Sequence, residues 1–254
     1  MLRNLYADTR KTLYSRGFHI GTILVIAFNI VYAIYELILC KIFGGYITTE
    51  ELSFAFNGIA IFAVTASTLI IADKDYADGC IRNKLISGVA RSETFVSAVF
   101  GGMLQGAVYT LVAFLSSNII ALFASSGYLE YTVSEIGTCW LITLMTCIAI
   151  GAFSTTLVMV FGGSKIAYVV GLTIAFGMKL LVTVVQDKLY PSNGLCKLKG
   201  TKLLIYRFVD SYVPYSYLSA FPHQKFVNYF VGCFGLSALS IVIGLIIFAK
   251  KEIK

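Results

Sequence analysis

Charge is scarce in this chain. Charged side chains make up 13% of the 254 residues and hydrophobic ones 58%, against roughly 25% and 45–50% in an ordinary soluble domain. A protein with so little charge cannot clothe a watery exterior, and a mean hydropathy of +0.83 makes lipid the solvent for most of the chain. Histidine is nearly missing. His19 and His223 are expected at opposite membrane faces, too far apart to share a metal or a proton. Cysteine is present but unorganised: Cys40, Cys80, Cys139, Cys147, Cys196 and Cys233 contain no C-x-x-C pair, so no metal or redox framework follows. Cys40 and Cys196 are expected on one side of the membrane as free thiols, since spacing alone cannot establish the approach a disulfide needs.

Catalytic motifs are equally thin. No G-x-x-x-x-G-K-[ST] occurs, so the GGSK at Gly162–Lys165 is not a phosphate loop. H-E-x-x-H and G-x-S-x-G are missing too. The chain is therefore expected not to be an enzyme and to carry no cofactor or metal of its own. The formal charge of +7 might point to nucleic acid, but the basic residues lie almost entirely between apolar blocks, where membrane topology accounts for them.

What is there is a series of apolar runs of about 20 residues, each enough to cross ~30 Å of hydrocarbon as helix. They occur at 18–39, 54–72, 94–123, 137–161, 164–184 and 226–248. Nothing alternates over strand lengths as a membrane β-barrel requires. The expected fold is an all-α integral membrane protein with six transmembrane helices in one domain. The amino terminus lacks a short apolar core with a small-residue cleavage site and is expected to be retained.

Orientation follows from Lys and Arg near the span ends. Arg3, Arg10, Lys11 and Arg16 precede the first span, and Lys74, Arg82, Lys84 and Arg91 lie in the 73–93 connection. Lys165 sits in the next turn on that side, and Lys250, Lys251 and Lys254 close the chain. The opposite side has Lys41 in the 40–53 loop, none in 124–136, and Lys188, Lys197, Lys199, Lys202, Arg207 and Lys225 in the 185–225 segment. Twelve against seven places both termini in the cytoplasm. The 185–225 segment runs against the rule, although longer loops weigh less. Its run LLIYRFVDSYVPYSYLSAF is too apolar for a linker and suggests short re-entrant helices dipping into the outer leaflet.

Residues 1–16 form a further element. Leu2, Leu5, Tyr6, Thr9 and Leu13 share one helical face, with Asp8 and Lys11 away from it. That is the pattern of an interfacial helix lying among headgroups with its apolar side down. In the third span, Gly102 and Gly106 form a GxxxG pair that permits close helix approach, more often within one chain than between two.

The 73–93 connection is far longer than a turn needs. Ile81, Leu85 and Ile86 share one face of a short helix, and Arg82, Asn83 and Lys84 fill the rest of its surface. Gly88 is placed to end that helix and Ser92 to cap the next. A short amphipathic helix of this kind, held at a membrane face, suits docking in a groove on another protein. The run Asp75-Tyr76-Ala77-Asp78-Gly79-Cys80-Ile81-Arg82-Asn83-Lys84-Leu85-Ile86-Ser87-Gly88-Val89-Ala90-Arg91 resembles the acidic-aromatic-x-x-G-T-I-R-N-K-L-I-x-G-x-x-R segment of bacterial ABC-2 type permeases. These are the membrane subunits of ATP-driven exporters. The plan of interfacial helix, six spans, a dipping segment before the last span and a basic end is similar as well. Asp75 stands where that family often has Glu, and Cys80 where it often has Thr.

The resemblance implies a coupling helix. Asp75, Tyr76, Gly79, Ile81, Arg82, Asn83, Lys84, Leu85 and Ile86 would meet a separate cytosolic ATP-binding subunit, which would hold the ATP and magnesium. It also implies pairing with a second permease chain, residence in a bacterial plasma membrane, and outward movement of an amphipathic substrate such as an antimicrobial peptide. The residues leave two other readings open, a non-transporting scaffold or sensor and an ion-coupled secondary carrier. The carrier is disfavoured by the absence of an internal repeat.

Two ionisable residues lie well inside spans, Glu36 and Lys179. Glu36 is 18 residues from Phe18, about 27 Å along a helix at ~1.5 Å per residue, and Lys179 is 14 residues from Lys165, about 21 Å. Such residues usually face protein or a wet cavity. Both are expected to point inward, as a pair or as separate charges, at the outer end of a translocation pathway.

Overall fold

The computed structural model describes residues 2–128, 131–191, 196, 198–218 and 225–251. Among them every regular element is helical: α1 (Leu2–Tyr14), α2 (Arg16–Phe43), α3 (Thr49–Ser53), α4 (Asn57–Ala77), α5 (Cys80–Ile86), α6 (Arg91–Ala124), α7 (Val133–Phe161), α8 (Lys165–Leu189), α9 (Thr201–Tyr212) and α10 (Phe226–Lys250), with a 3₁₀ turn at Pro214–Leu218. Six of them, α2, α4 (with the short α3 continuing it at its start), α6, α7, α8 and α10, are long and apolar enough to cross a membrane. The chain is an all-α membrane protein with six spans. His223 and the end of the basic tail, Glu252–Lys254, lie outside the described residues.

Local chemistry sets several helix ends. Ser15 opens α2 by accepting the Phe18 N–H at 3.2 Å. Thr48 with Glu51 and Thr132 with Glu135 form capping boxes for α3 and α7, satisfying donors that the helix itself cannot. At the other end of α7, Gly162 takes a left-handed φ of 71° that costs a glycine nothing. The α5 terminus is a Schellman motif: the Val89 N–H reaches the Lys84 carbonyl at 3.1 Å and the Gly88 N–H reaches Leu85 at 3.1 Å, with Gly88 at φ 86°. Gly88 thus ends α5 as its position suggested. Ser92 does not cap α6, which starts a residue earlier behind Ala90 with no side-chain cap.

The most enclosed helix is α7, packed by α4, α6, α8, α10 and the 3₁₀ turn. Its buried positions are largely small or hydroxylated, among them Thr146, Ala149, Gly151, Ala152, Ser154 and Thr155. Such residues let neighbouring backbones close in where lipid supplies no hydrophobic push. The tightest approach is to α6. A Cβ on Gly102 would lie 2.7 Å from the Gly151 carbonyl oxygen, and one on Gly106 would lie 2.7 Å from the Cys147 carbonyl carbon. The GxxxG pair therefore joins two helices of one chain.

On one face of the bundle meet α1, α5, the α7–α8 turn and the end of α10, as an even number of spans requires. On the other lie α3, α9 and the 3₁₀ turn. The latter is not an exposed dip: Tyr215 and Leu218 join the main core around Trp140, Ile61 and Val64, and Tyr217 packs edge-on to Tyr229 with ring centres 4.5 Å apart.

Candidate partner-docking site

Because α4 ends and α6 begins at the same face, the 73–93 connection is folded back on the bundle there. Gly79 makes the corner between α4 and α5 with φ 67° and open space where a Cβ would stand. The first residue of α5 to face inward is Ile81, 3% exposed, which packs with Phe95, Val99, Ala152, Met159 and Phe248. Leu85 lies partly buried against the same cluster. The face expected to enter a partner is therefore used inside the chain, because three long helices end in an apolar cleft that α5 fills. Outward face Arg82, Asn83 and Ile86, and Ile86 is 72% exposed.

Polar contacts lock this corner. Lys84 pairs with Asp8, and Lys11 with Asp75, so two ion pairs of opposite polarity tie α1 to the connection. Asn4 adds a bond to Glu93 at 3.3 Å. The Tyr76 hydroxyl donates to the Met159 carbonyl at 3.1 Å, serving the end of α7. Arg91 donates to the carbonyls of Ala249 and Lys251 at 3.1 and 2.6 Å, and Lys251 to Val160 at 2.6 Å. The carboxyl ends of α10 and α7 are thereby each met by a cation from another element, the favourable sense for a helix dipole.

Burial of Lys11 works against its charge, but the Asp75 carboxylate beside it and the Cys80 thiol outweigh that and hold its pKa above the ordinary 10.5. For Lys251 burial has no such answer and pushes the ammonium below its ordinary value.

The α1 geometry corrects one expectation. Asp8 and Thr12 are buried and Lys11 half-buried, so the polar side of this helix faces protein rather than water. Tyr6 and Tyr14 are 68% and 74% exposed, and Arg10 lies over the Tyr14 ring at 5.7 Å. The spacing Asn4, Asp8, Lys11, Thr12, Ser15 is itself a helical stripe, but one of polar residues, and read alone it passes for a solvated face. Beneath α1 is a cavity of about 20 Å³ bordered by Asp8, Thr12, Asp75, Ser97 and Gln105, room for about one water. Asp8 Oδ2 has no protein partner there.

At the other face, Glu36 and Lys179 are each half-buried. Their helices α2 and α8 both pack on α4. No ion pair joins the two among the described residues, so of the arrangements expected the paired one is not formed. Between the two faces runs a polar set that the sequence reading missed. Gln105 bonds to Ser67 and to the Tyr109 hydroxyl, which donates to the Phe18 carbonyl at 3.3 Å. Asn29 Nδ2 reaches Ala113 O at 3.3 Å and Ser116 Oγ at 2.7 Å. No protein-family model matches the sequence, and no curated protein matches it.

Proposed function

We propose that this chain is the membrane subunit of an ATP-driven exporter, moving an amphipathic substrate, a peptide by preference, across a bacterial plasma membrane. ATP would be hydrolysed by a separate cytosolic subunit, and two membrane chains would form the pathway. The observation that carries the reading is α5: a short helix fixed at the bundle face by Ile81 and Lys84, presenting Arg82, Asn83 and Ile86 outward. A lever needs such an attachment. Displacement of the outer face of α5 would pass through Ile81 to Phe95 and Phe248 on α6 and α10, and through Lys84 to α1. Packed helices answer such a push by shifting between discrete arrangements.

The test is co-purification of the chain with cytosolic ATP-binding proteins of its host, followed by ATPase assay in vesicles. Wild type is expected to retain an ATPase and stimulate it. Arg82→Glu with Ile86→Asp places two charges against a partner surface and is expected to abolish both, with the melting temperature of the chain unchanged. An ATPase that stays bound to the double variant refutes the reading. Retention by wild type without ATP-driven transport of any peptide would favour a scaffold.

A further inference from the structure

The 185–225 segment contains α9, a short helix whose surface the export reading leaves unused. Along α9, Leu204, Ile205, Phe208 and Tyr212 form a single stripe at spacings of one, three and four, 71%, 56%, 61% and 40% exposed. Four large apolar side chains in water on a twelve-residue helix is not a stable arrangement. The inward side is mixed: Asp210 and Ser211 are buried, Leu203, Tyr206 and Val209 are half-buried, and Asp210 accepts from the Tyr190 hydroxyl at 2.9 Å. The helix thus turns its larger apolar side chains outward, with cations beside them, as a helix lying at a lipid surface does.

Charge and depth specify the lipid environment further. At about 100° per residue, the exposed Lys202 and Arg207 fall on opposite flanks of the apolar stripe, where long side chains reach up to headgroups while their stems stay in the acyl boundary. The end of α9 rests on α10 at Gly232, where a Cβ would lie 2.6 Å from the Tyr212 carbonyl oxygen. Gly232 is six residues into α10, about 9 Å along its axis at ~1.5 Å per residue. That is the depth at which interfacial helices lie, roughly 5–10 Å into the headgroup and acyl boundary. α9 packs against both α8 and α10, and Tyr190 just beyond α8 and Val227 and Phe230 on α10 are exposed as well.

We infer that α9 is an in-plane anchor that binds anionic phospholipid, with Leu204, Ile205, Phe208 and Tyr212 among the acyl chains and Lys202 and Arg207 against headgroup phosphates. It also gives Lys202 and Arg207 a task other than setting topology. The inference holds whichever way the chain is inserted and does not depend on the export reading.

The experiment uses the full chain carrying Phe208→Trp, reconstituted in vesicles of phosphatidylcholine with brominated phosphatidylglycerol or brominated phosphatidylcholine. Wild type, whose one tryptophan, Trp140, is buried, supplies the background. Brominated phosphatidylglycerol is expected to quench the new signal with an association constant over phosphatidylcholine higher by about fivefold for each cation engaged. Lys202→Gln with Arg207→Gln should remove the preference while both lipids still quench, and Lys202→Arg with Arg207→Lys should keep it. Absence of quenching by either lipid would mean that protein covers the stripe, and equal quenching by both would mean no headgroup selection. Either result overturns the inference. Tyr212→Trp repeats the measurement one turn on should Phe208→Trp not fold.

Discussion

Lys84 of α5 and Asp8 of α1 form an ion pair in which the two partners are unequally hidden, their side chains 23% and 7% exposed. The asymmetry dictates which half matters. Lys84→Met would strand a buried carboxylate and is expected to cost about 3 kcal/mol or more. Asp8→Asn leaves a lysine that can reach water and should cost less than half of that. Thermal unfolding of the two variants in detergent gives the order, and a larger loss for Asp8→Asn would contradict it.

The companion pair sets a pH limit. The Lys11 pKa is raised above 10.5. A raised lysine stabilises fully below its unfolded value and loses that contribution only as pH climbs through the folded one. Release of α1, followed by proteolysis at Arg10 or Arg16, should therefore be flat from neutral pH to about 10 and rise beyond it. Lys11→Gln should show the elevated rate already at pH 7.

Ile81 and Ile86 differ by five positions and by opposite surroundings. Ile81→Ala empties a site enclosed by Phe95, Met159 and Phe248 and is expected to destabilise by about 2–5 kcal/mol. Ile86→Ala, at a position 72% exposed, should fall within about 0.5 kcal/mol of wild type. Equal melting temperatures for the two would remove α5 from the core.

Two glycines on neighbouring helices make a similar contrast. Gly106→Ala drives a methyl into the Cys147 backbone, which cannot rotate aside, at an expected cost of about 1–3 kcal/mol. Gly137→Ala on α7 meets nothing within 4 Å and should gain up to about 1 kcal/mol from helix propensity. Calorimetry of the two single variants decides it.

The six spans were legible in the sequence because lipid forbids unpaired backbone, so any run of about 20 apolar residues must be helix. The end of α5 was legible for a similar reason: Gly88 is one of few residues that tolerates a left-handed terminus. The direction in which the short helices face was not. Hydrophobic periodicity identifies two sides of α1, α5 and α9 without saying what covers each. Ile81 and Leu85 were expected to face a partner and instead join a cluster with Phe248, more than 160 residues away in sequence. A polar stripe such as Asn4, Asp8, Lys11 and Thr12 looks the same against water as against Lys84 and Asp75.

Glu36 and Lys179 carry the last prediction. Two opposite charges at similar depth invite the assumption of a pair, and a pair would make their removal strongly coupled: losing either partner strands the other, so the double variant costs less than the sum. Here the residues stand on α2 and α8, which both pack on α4, and no ion pair links them among the described residues. Glu36 has a neighbour of its own, the Tyr32 hydroxyl one turn earlier on α2. Glu36→Leu and Lys179→Leu are therefore expected to be additive in unfolding free energy to within about 0.5 kcal/mol. If each charge lines the pathway separately, export of a charged peptide should fall in both single variants and fall further in the double. A coupling energy above about 1 kcal/mol in the cycle would show that the two meet after all.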